Sequence, residues 1–365
     1  MAHLWTYSRV KRGDPARRGS RCAAGPLSLD WVIVYRRHAS LAVRYADQQS
    51  ERAPLENPDQ VLGVVGYGTV RPSALPAACP FIAAPLVPLS GSAVVEIWTA
   101  SSQTRPCQFG PVIGACSDEV VFGIIQLEES AQVPLEAAVE KAHLDIFAFL
   151  SHTGFGEPIR FWTYLAAITA DEQGLERYRR FNIGRHRAFL AMLRQPVPPA
   201  ASCVGAHHGT SMIYFLAARE PAKPIENPRQ TSAYAYPPLY GPSSPSFSRA
   251  AVHGEDAAGT LFISGTASIV GHETRHHGNL HGQIAETLEN LQALITQAGP
   301  ALAQGRPEDW ALKIYLRDPL YHAAAEPAIT AMFGAASQRL YLHAEICRPD
   351  LLIEIEALHH ARVPA

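Results

Sequence analysis

The sequence predicts an α+β fold in two halves, each a mixed sheet with helices packed on one face. Three observations point there. A length of 365 residues fits two domains if a domain takes roughly 150 residues. Strand-like runs are mixed with a few helical runs rather than alternating regularly with them, which favours α+β layering over a doubly wound sheet. A plan of strands, helix, glycine and strand also occurs twice: residues 135–150 then 160–165, and 284–295 then 312–317.

Along the chain, residues 1–28 are basic and lack an apolar core, so they read as an extension outside the fold and not as a secretory signal. Residues 31–45 and 61–70 read as strands, 72–91 as an irregular Pro- and Gly-rich stretch, and 93–100 and 120–127 as paired strands. A helix follows Pro134, with Leu135, Val139, Ala142, Ile146 and Leu150 on one face and Gly154 at its end. Residues 159–168 return as a strand and 172–193 as a second long helix. The prolines of 195–201 mark the boundary between a domain of residues 29–200 and one of 201–365. In the second half, 211–217 and 261–269 read as strands. Asn279 caps a helix with the stripe Leu280, Ile284, Leu288, Leu291 and Ile295. A strand at 310–316, a helix at 323–333 and a strand at 351–358 complete it.

Net charge is −2, and hydrophobic residues make up 47% of the chain. No field of one sign recruits nucleic acid or an anionic membrane, and no apolar run approaches the roughly 18 residues that span a bilayer. Six cysteines lie far apart, at 22, 79, 107, 116, 203 and 347, so free thiols in a cytoplasmic setting are expected.

The closing strand is the informative one. Leu351, Ile353 and Ile355 point one way, and Leu352, Glu354 and Glu356 the other. Glutamates in mid-strand mean either a solvated sheet face or an acid presented to a cleft, where partial drying raises its pKa and makes it a proton donor near neutral pH. Residues 221–249 hold seven prolines with Tyr234, Tyr236, Tyr240 and Phe247, and read as a cleft wall or a passive strap. Ser264-Gly-Thr-Ala-Ser268 is small enough for backbone to approach a ligand. Arg185, Arg229, Arg249 and Arg348 are candidates for holding a dianionic acid by guanidinium forks. His272-Glu-Thr-Arg-His276 spells H-E-x-x-H, but its flanking glycines place it in a connection and not on the helix that zinc chemistry requires, so no metal site is expected.

Taken together, Ile225-Glu-Asn-Pro-Arg-Gln-Thr-Ser-Ala-Tyr234, Tyr240-Gly-Pro-Ser-Ser-Pro-Ser-Phe-Ser-Arg249, Phe262-Ile-Ser-Gly-Thr-Ala-Ser-Ile-Val-Gly-His272 and Ile346-Cys-Arg-Pro-Asp-Leu-Leu-Ile-Glu354 resemble the chorismatase family. Phe161-Trp-Thr-Tyr164 and Glu176-Arg-Tyr-Arg-Arg-Phe-Asn-Ile-Gly-Arg185 extend the likeness, which covers roughly residues 30–360. The second half also resembles the trimeric RidA/YjgF-like (chorismate-mutase-like) fold through its Gln283–Leu291 helix, which gives the expected two halves their fold type.

The resemblance implies that the partner is the small molecule chorismate, split into pyruvate and a ring acid with no cofactor, in a cleft between the halves. It implies that Glu354 protonates the enolpyruvyl methylene and that Tyr164, Arg185, Arg229 and Tyr234 hold the carboxylates. Gly265, Ala267 and Arg348 are further substrate-binding candidates. Cys347 looks like the cysteine of the aromatising branches, which favours 3-hydroxybenzoate, with 4-hydroxybenzoate or a dihydroxycyclohexadiene acid as alternatives. Ala235 departs from the larger polar residue expected there. A RidA-like imine or enamine hydrolase is the competing enzyme class. A monomer is expected, since two similar halves can supply each other's interface; a homo-oligomer stays open.

Overall fold

A computed structural model describes residues 41–47, 57–254, 259–303 and 305–360. The basic extension at 1–28 and most of the strand expected at 31–45 lie outside these residues; what is described of that strand is Leu41–Asp47.

Three sheets carry the fold. A four-stranded sheet orders Leu41–Asp47, Val94–Ala100, Val61–Tyr67 and Phe81–Ala84. A six-stranded sheet orders Ala200–Ala206, Glu157–Ala166, Met212–Ala218, Val120–Gln126, Val112–Cys116 and Arg105–Phe109. A seven-stranded sheet orders Lys223–Ile225, Ala250–His253, Thr260–Ala267, Ile353–His360, Trp310–Leu316, Gln338–His343 and Val87–Pro88. The architecture is α+β, with mixed sheets.

Each of the two larger sheets has helices on one face. Leu135–Thr153 and Arg177–Met192 bury Val139, Ile146, Leu150, Phe181 and Phe189 against Phe161, Ile213 and Phe215. Leu280–Ala298 and His322–Phe333 bury Ile284, Leu291 and Ile329 against Leu312, Ile314, Ile353 and Ile355. Each such side chain contributes roughly 1.5–3 kcal/mol of transfer free energy. The opposite faces meet in one core that draws Trp98 from the first sheet, Phe122, Trp162 and Tyr164 from the second, and Phe262, Tyr315 and Leu342 from the third. Among the described residues, no helix is long and apolar enough to cross a membrane.

Two boundaries differ from expectation. The second helix starts at Arg177, not 172, because Gln173 (φ 56°) and Gly174 (φ 82°) take left-handed backbone and close a short hairpin, Asp171–Glu172 against Leu175–Glu176. The change of sheet comes after Ala218 and not at 200. The prolines of 195–199 sit inside a crossover that returns Ala200–Ala206 parallel to Glu157–Ala166.

Candidate active site

Glu354 lies on the strand Ile353–His360, in the middle of the seven-stranded sheet, opposite Ala267 on one side and Tyr315 on the other. Period-2 alternation sends Ile353 and Ile355 to the helices and Glu354 and Glu356 to the other face. On the neighbouring strand Thr260–Ala267 the register slips between Ile263 and Thr266, so Ser264 and Gly265 bulge opposite Glu356. A bulge twists a strand and re-aims its side chains. Here it brings the Gly265 amide to Ser202 Oγ (2.8 Å) and Ser264 Oγ to the Ala201 amide (2.9 Å), both on the edge strand of the six-stranded sheet. The seam between the two larger sheets opens at this point.

The opening is a cavity with about 800 Å³ of space free of atoms, part of it continuous with solvent. Glu354, Gly265 and Ala267 line it from the seven-stranded sheet, Ser202 and Cys203 from the six-stranded sheet, and Tyr178 and Arg185 from the helix Arg177–Met192. The proline-rich segment supplies Tyr236, Tyr240, Phe247 and Arg249, and the loop before the last strand supplies Cys347 and Arg348.

Three cations face this space without an ion-pair partner among the described residues. Arg185 reaches Asn182 Oδ1 (3.0 Å) and lies over Phe181. Arg249 donates to the Thr231 carbonyl and to the Tyr236 hydroxyl, both at 2.8 Å. Arg348 donates to the His272 carbonyl (2.9 Å) and lies over the Tyr240 ring at 4.3 Å. The Nε of Arg185 and of Arg249 is buried with no hydrogen-bond partner among the described residues. Unused guanidinium donors in a largely dry cavity are suited to carboxylates.

The two mid-strand glutamates have opposite surroundings. Glu354 accepts no hydrogen bond from the described residues; burial, then the charge of Glu356, pushes its carboxyl up to about 8, with Arg160 and Arg249 pulling the other way. Burial also opposes ionisation of Glu356, but Lys313, Arg160 and hydrogen bonds outweigh it and hold that carboxyl below its ordinary range. Glu356 is 2.8 Å from Lys313 Nζ and 2.9 Å from Arg160 Nη2, and accepts from Trp162 Nε1 (2.7 Å) and Ser202 Oγ (2.5 Å). At neutral pH the first glutamate is therefore an acid and the second a carboxylate, a separation of roles set by environment. The Cys347 thiol, buried first and repelled by Glu354 second, is pushed up to about 12, so it stands in the cavity as a neutral thiol.

Glu354, Cys347, Arg185, Gly265, Ala267 and Arg348, all singled out from the sequence, thus meet in one cavity. Three other candidates do not join them. Arg229 is neutralised by Glu286 (2.5 Å) and Glu289 (2.8 Å), which tie its loop to the helix Leu280–Ala298. Tyr164 is buried in the core on the inter-sheet side, with its hydroxyl 2.7 Å from that of Tyr67, in a cluster with Tyr214 and Tyr315. Tyr234 sits in the turn Ala233–Ala235, 38% exposed, while Tyr236 and Tyr240 face inward. In the H-E-x-x-H segment, Glu273–Thr274 pairs with Ile269–Val270 as a hairpin, so the histidines share no helical face. His272 meets Tyr240, and His276, at φ 57°, meets Glu286. Among the described residues no cluster of three or more His, Cys, Asp or Glu is arranged to hold a metal.

Sequence reasoning overlooked Ser202, Cys203 and the charges behind Glu356. Lys313 and Glu96 are each the single charged residue of an apolar strand, and Arg160 sits among apolar residues with only Glu157 at the start of its strand. Charge inside an apolar strand is the signal that also marks Glu354.

Fold and cavity together define a buried, cationic small-molecule site built around one protonated carboxyl group. The family model described as "Chorismatase FkbO/Hyg5-like, N-terminal" matches residues 96–217. A chorismatase from Streptomyces hygroscopicus is 32% identical over 83% of this chain and 90% of its own length. A 3-hydroxybenzoate synthase from the same species is 32% identical over 82% and 91%. A chorismatase crystal structure superposes with a TM-score of 0.79 at 30% identity, covering 88% of this chain and 98% of that one. The chain belongs to the chorismatase family.

Proposed function

We propose that this protein cleaves the enolpyruvyl ether of chorismate to pyruvate and a hydroxybenzoate, 3-hydroxybenzoate favoured over 4-hydroxybenzoate, with Glu354 as proton donor. The observation that carries the reading is the buried, protonated carboxyl of Glu354 facing a cavity with three unpaired arginines. Arg185, Arg249 and Arg348 hold the two carboxylates of the substrate. The Glu354 proton goes to the terminal methylene carbon, which becomes a methyl group. Positive charge then develops on the ether-bearing carbon, the ring C–O bond breaks, and pyruvate leaves with the ether oxygen as its keto oxygen. The ring rearranges and loses a proton as it aromatises, returning to the site the charge that Glu354 gave up.

Chorismate has the same atoms as pyruvate plus hydroxybenzoate, so this branch consumes no water, whereas the dihydroxycyclohexadiene branch consumes one. The apolar wall of Ala267, Ile269, Phe247 and Cys347 suits the branch without water. Incubating purified protein with chorismate and assaying pyruvate with lactate dehydrogenase tests the activity, and chromatography of the ring product identifies the branch. An absence of pyruvate ends the reading, and turnover of imines in its place would return the site to the RidA-like class.

Two variants test the site's division of labour. Cys347→Ala is expected to change the ratio of ring products more than the total rate; an unchanged product spectrum would reduce the thiol to packing. Arg249→Gln is expected to raise KM for chorismate at least about tenfold, in line with the roughly 1.5–3 kcal/mol of a hydrogen bond to a charged group. Arg229→Gln should instead lower the melting temperature and leave KM near wild type, because its charge is spent on Glu286 and Glu289. Equal KM effects from both would refute the assignment.

A further inference from the structure

Behind the donor lies a chain of buried charges with no contact to the cavity. Glu96, from the four-stranded sheet, accepts from Tyr67 (2.7 Å), Trp98 (2.8 Å) and Lys313 (3.1 Å). Lys313 also reaches the Tyr214 hydroxyl and stands directly across the ladder from Glu356. Arg160 completes the row, donating to Glu356 (2.9 Å) and to Ser202 Oγ (2.6 Å). All four charged side chains are at most 5% exposed. Charges this deep are expensive to keep, and a well-packed apolar replacement is often no less stable. Stability alone is therefore a weak account of their presence.

Resting on the assignment of Glu354 as proton donor, we propose that Glu356 is a positioning residue for the proton-transfer step: a fixed negative charge behind Glu354 that keeps the donor carboxyl from ionising before substrate arrives. The geometry supports a fixed charge. Lys313, Arg160, Trp162 and Ser202 all bind Glu356, and none of the four donates to Glu354. The two glutamates share one strand face two residues apart, and Ser202 bridges them: its Oγ is 2.5 Å from Glu356, and it accepts from Gly265, whose backbone lies against the Glu354 carboxyl. The other charged or titratable groups around Glu354 are Arg160 and Cys203 from the six-stranded sheet, Tyr178, Arg179 and Arg185 from the helix with Glu176 just before it (3.7 Å from Arg179), Tyr236, Tyr240 and Arg249 from the proline-rich segment, and Cys347 and Arg348 from the preceding loop. Of these, Arg160 and Arg249 favour ionisation of Glu354, while Glu356 opposes it.

The test is the pH dependence of kcat/KM for chorismate in two variants. Glu356→Gln keeps the shape and removes the charge, so the alkaline limb should move down by about one pH unit, a loss of roughly tenfold above the limb, with the rate at pH 6 largely kept. Glu356→Asp should restore the limb. Arg160→Gln removes the opposing charge and should move the limb up. A uniform loss at all pH values in Glu356→Gln would mean a structural role and overturn the proposal. If Glu356→Gln does not fold, an unmoved limb in Arg160→Gln overturns it instead. A Glu354→Gln control separates the two assignments: if that variant still turns over, the donor assignment itself fails; if it is inactive while the limbs stay fixed, only the positioning role fails.

Discussion

Glu354→Gln should abolish pyruvate release, with kcat falling by about 10²–10⁴, the range that one general acid supplies. The amide keeps the size and planarity of the side chain but has no acidic proton to give. The fold should survive, because the wild-type group is uncharged at neutral pH, so a neutral amide replaces a neutral acid in the same buried place. An unchanged melting temperature with lost turnover is the expected pair of results. Substrate should still bind, since the arginines of the cavity are untouched, and equilibrium binding of chorismate to the variant checks this. Wild-type turnover would remove Glu354 from the reaction.

Gly265→Ala should be nearly as damaging although it adds a single methyl group. A Cβ at this position would lie 2.0 Å from Glu354 Oε1, 2.8 Å from Glu354 Cδ and 3.2 Å from Ser202 Oγ. The backbone is held by the bulge and by the bond from its amide to Ser202, so the carboxyl is the part that moves. A reacting group displaced by about 1 Å can cost on the order of 10²-fold in rate. The loss should fall on kcat, with KM little changed, because the carboxylate-binding arginines stand elsewhere in the cavity. A wild-type kcat would show that the donor tolerates another rotamer and that glycine is not required by the acid.

Much of this site could be read from sequence because its chemistry sits on regular elements. Alternation marks Glu354 as a carboxylate on the face opposite Leu351, Ile353 and Ile355, either solvated or turned to a cleft, and Cys347 and Arg348 lie in the same motif. The sequence marks Gly265 and Ala267 as small residues and substrate-binding candidates, but the bulge that makes Gly265 necessary depends on a register slip that no local pattern records. Arg229 and Arg249 looked equivalent in the same loop. Only their partners separate them, two carboxylates on a distant helix for one and an open cavity for the other. Tyr164 enters the candidates through its motif, yet in the structure it lies on the inter-sheet face of its strand, opposite the face of Phe161 and Leu165. The sequence starts the second helix five residues too early because a Gln-Gly turn in a polar stretch resembles a helical first turn until its backbone angles are known.

The most direct measurement of the central claim is the pH profile of kcat/KM on chorismate, which reports ionisations of the free enzyme. Glu354 acts in its protonated form, and burial with the neighbouring charge of Glu356 places its titration at about 8. Activity should therefore be flat through neutral pH and fall tenfold per unit above a single ionisation near pH 8. The limb in kcat should lie at higher pH, because the bound dianion further opposes loss of the proton. A profile that falls through the ordinary glutamate range near pH 4.5, or one that stays flat well into the alkaline region, would contradict the account.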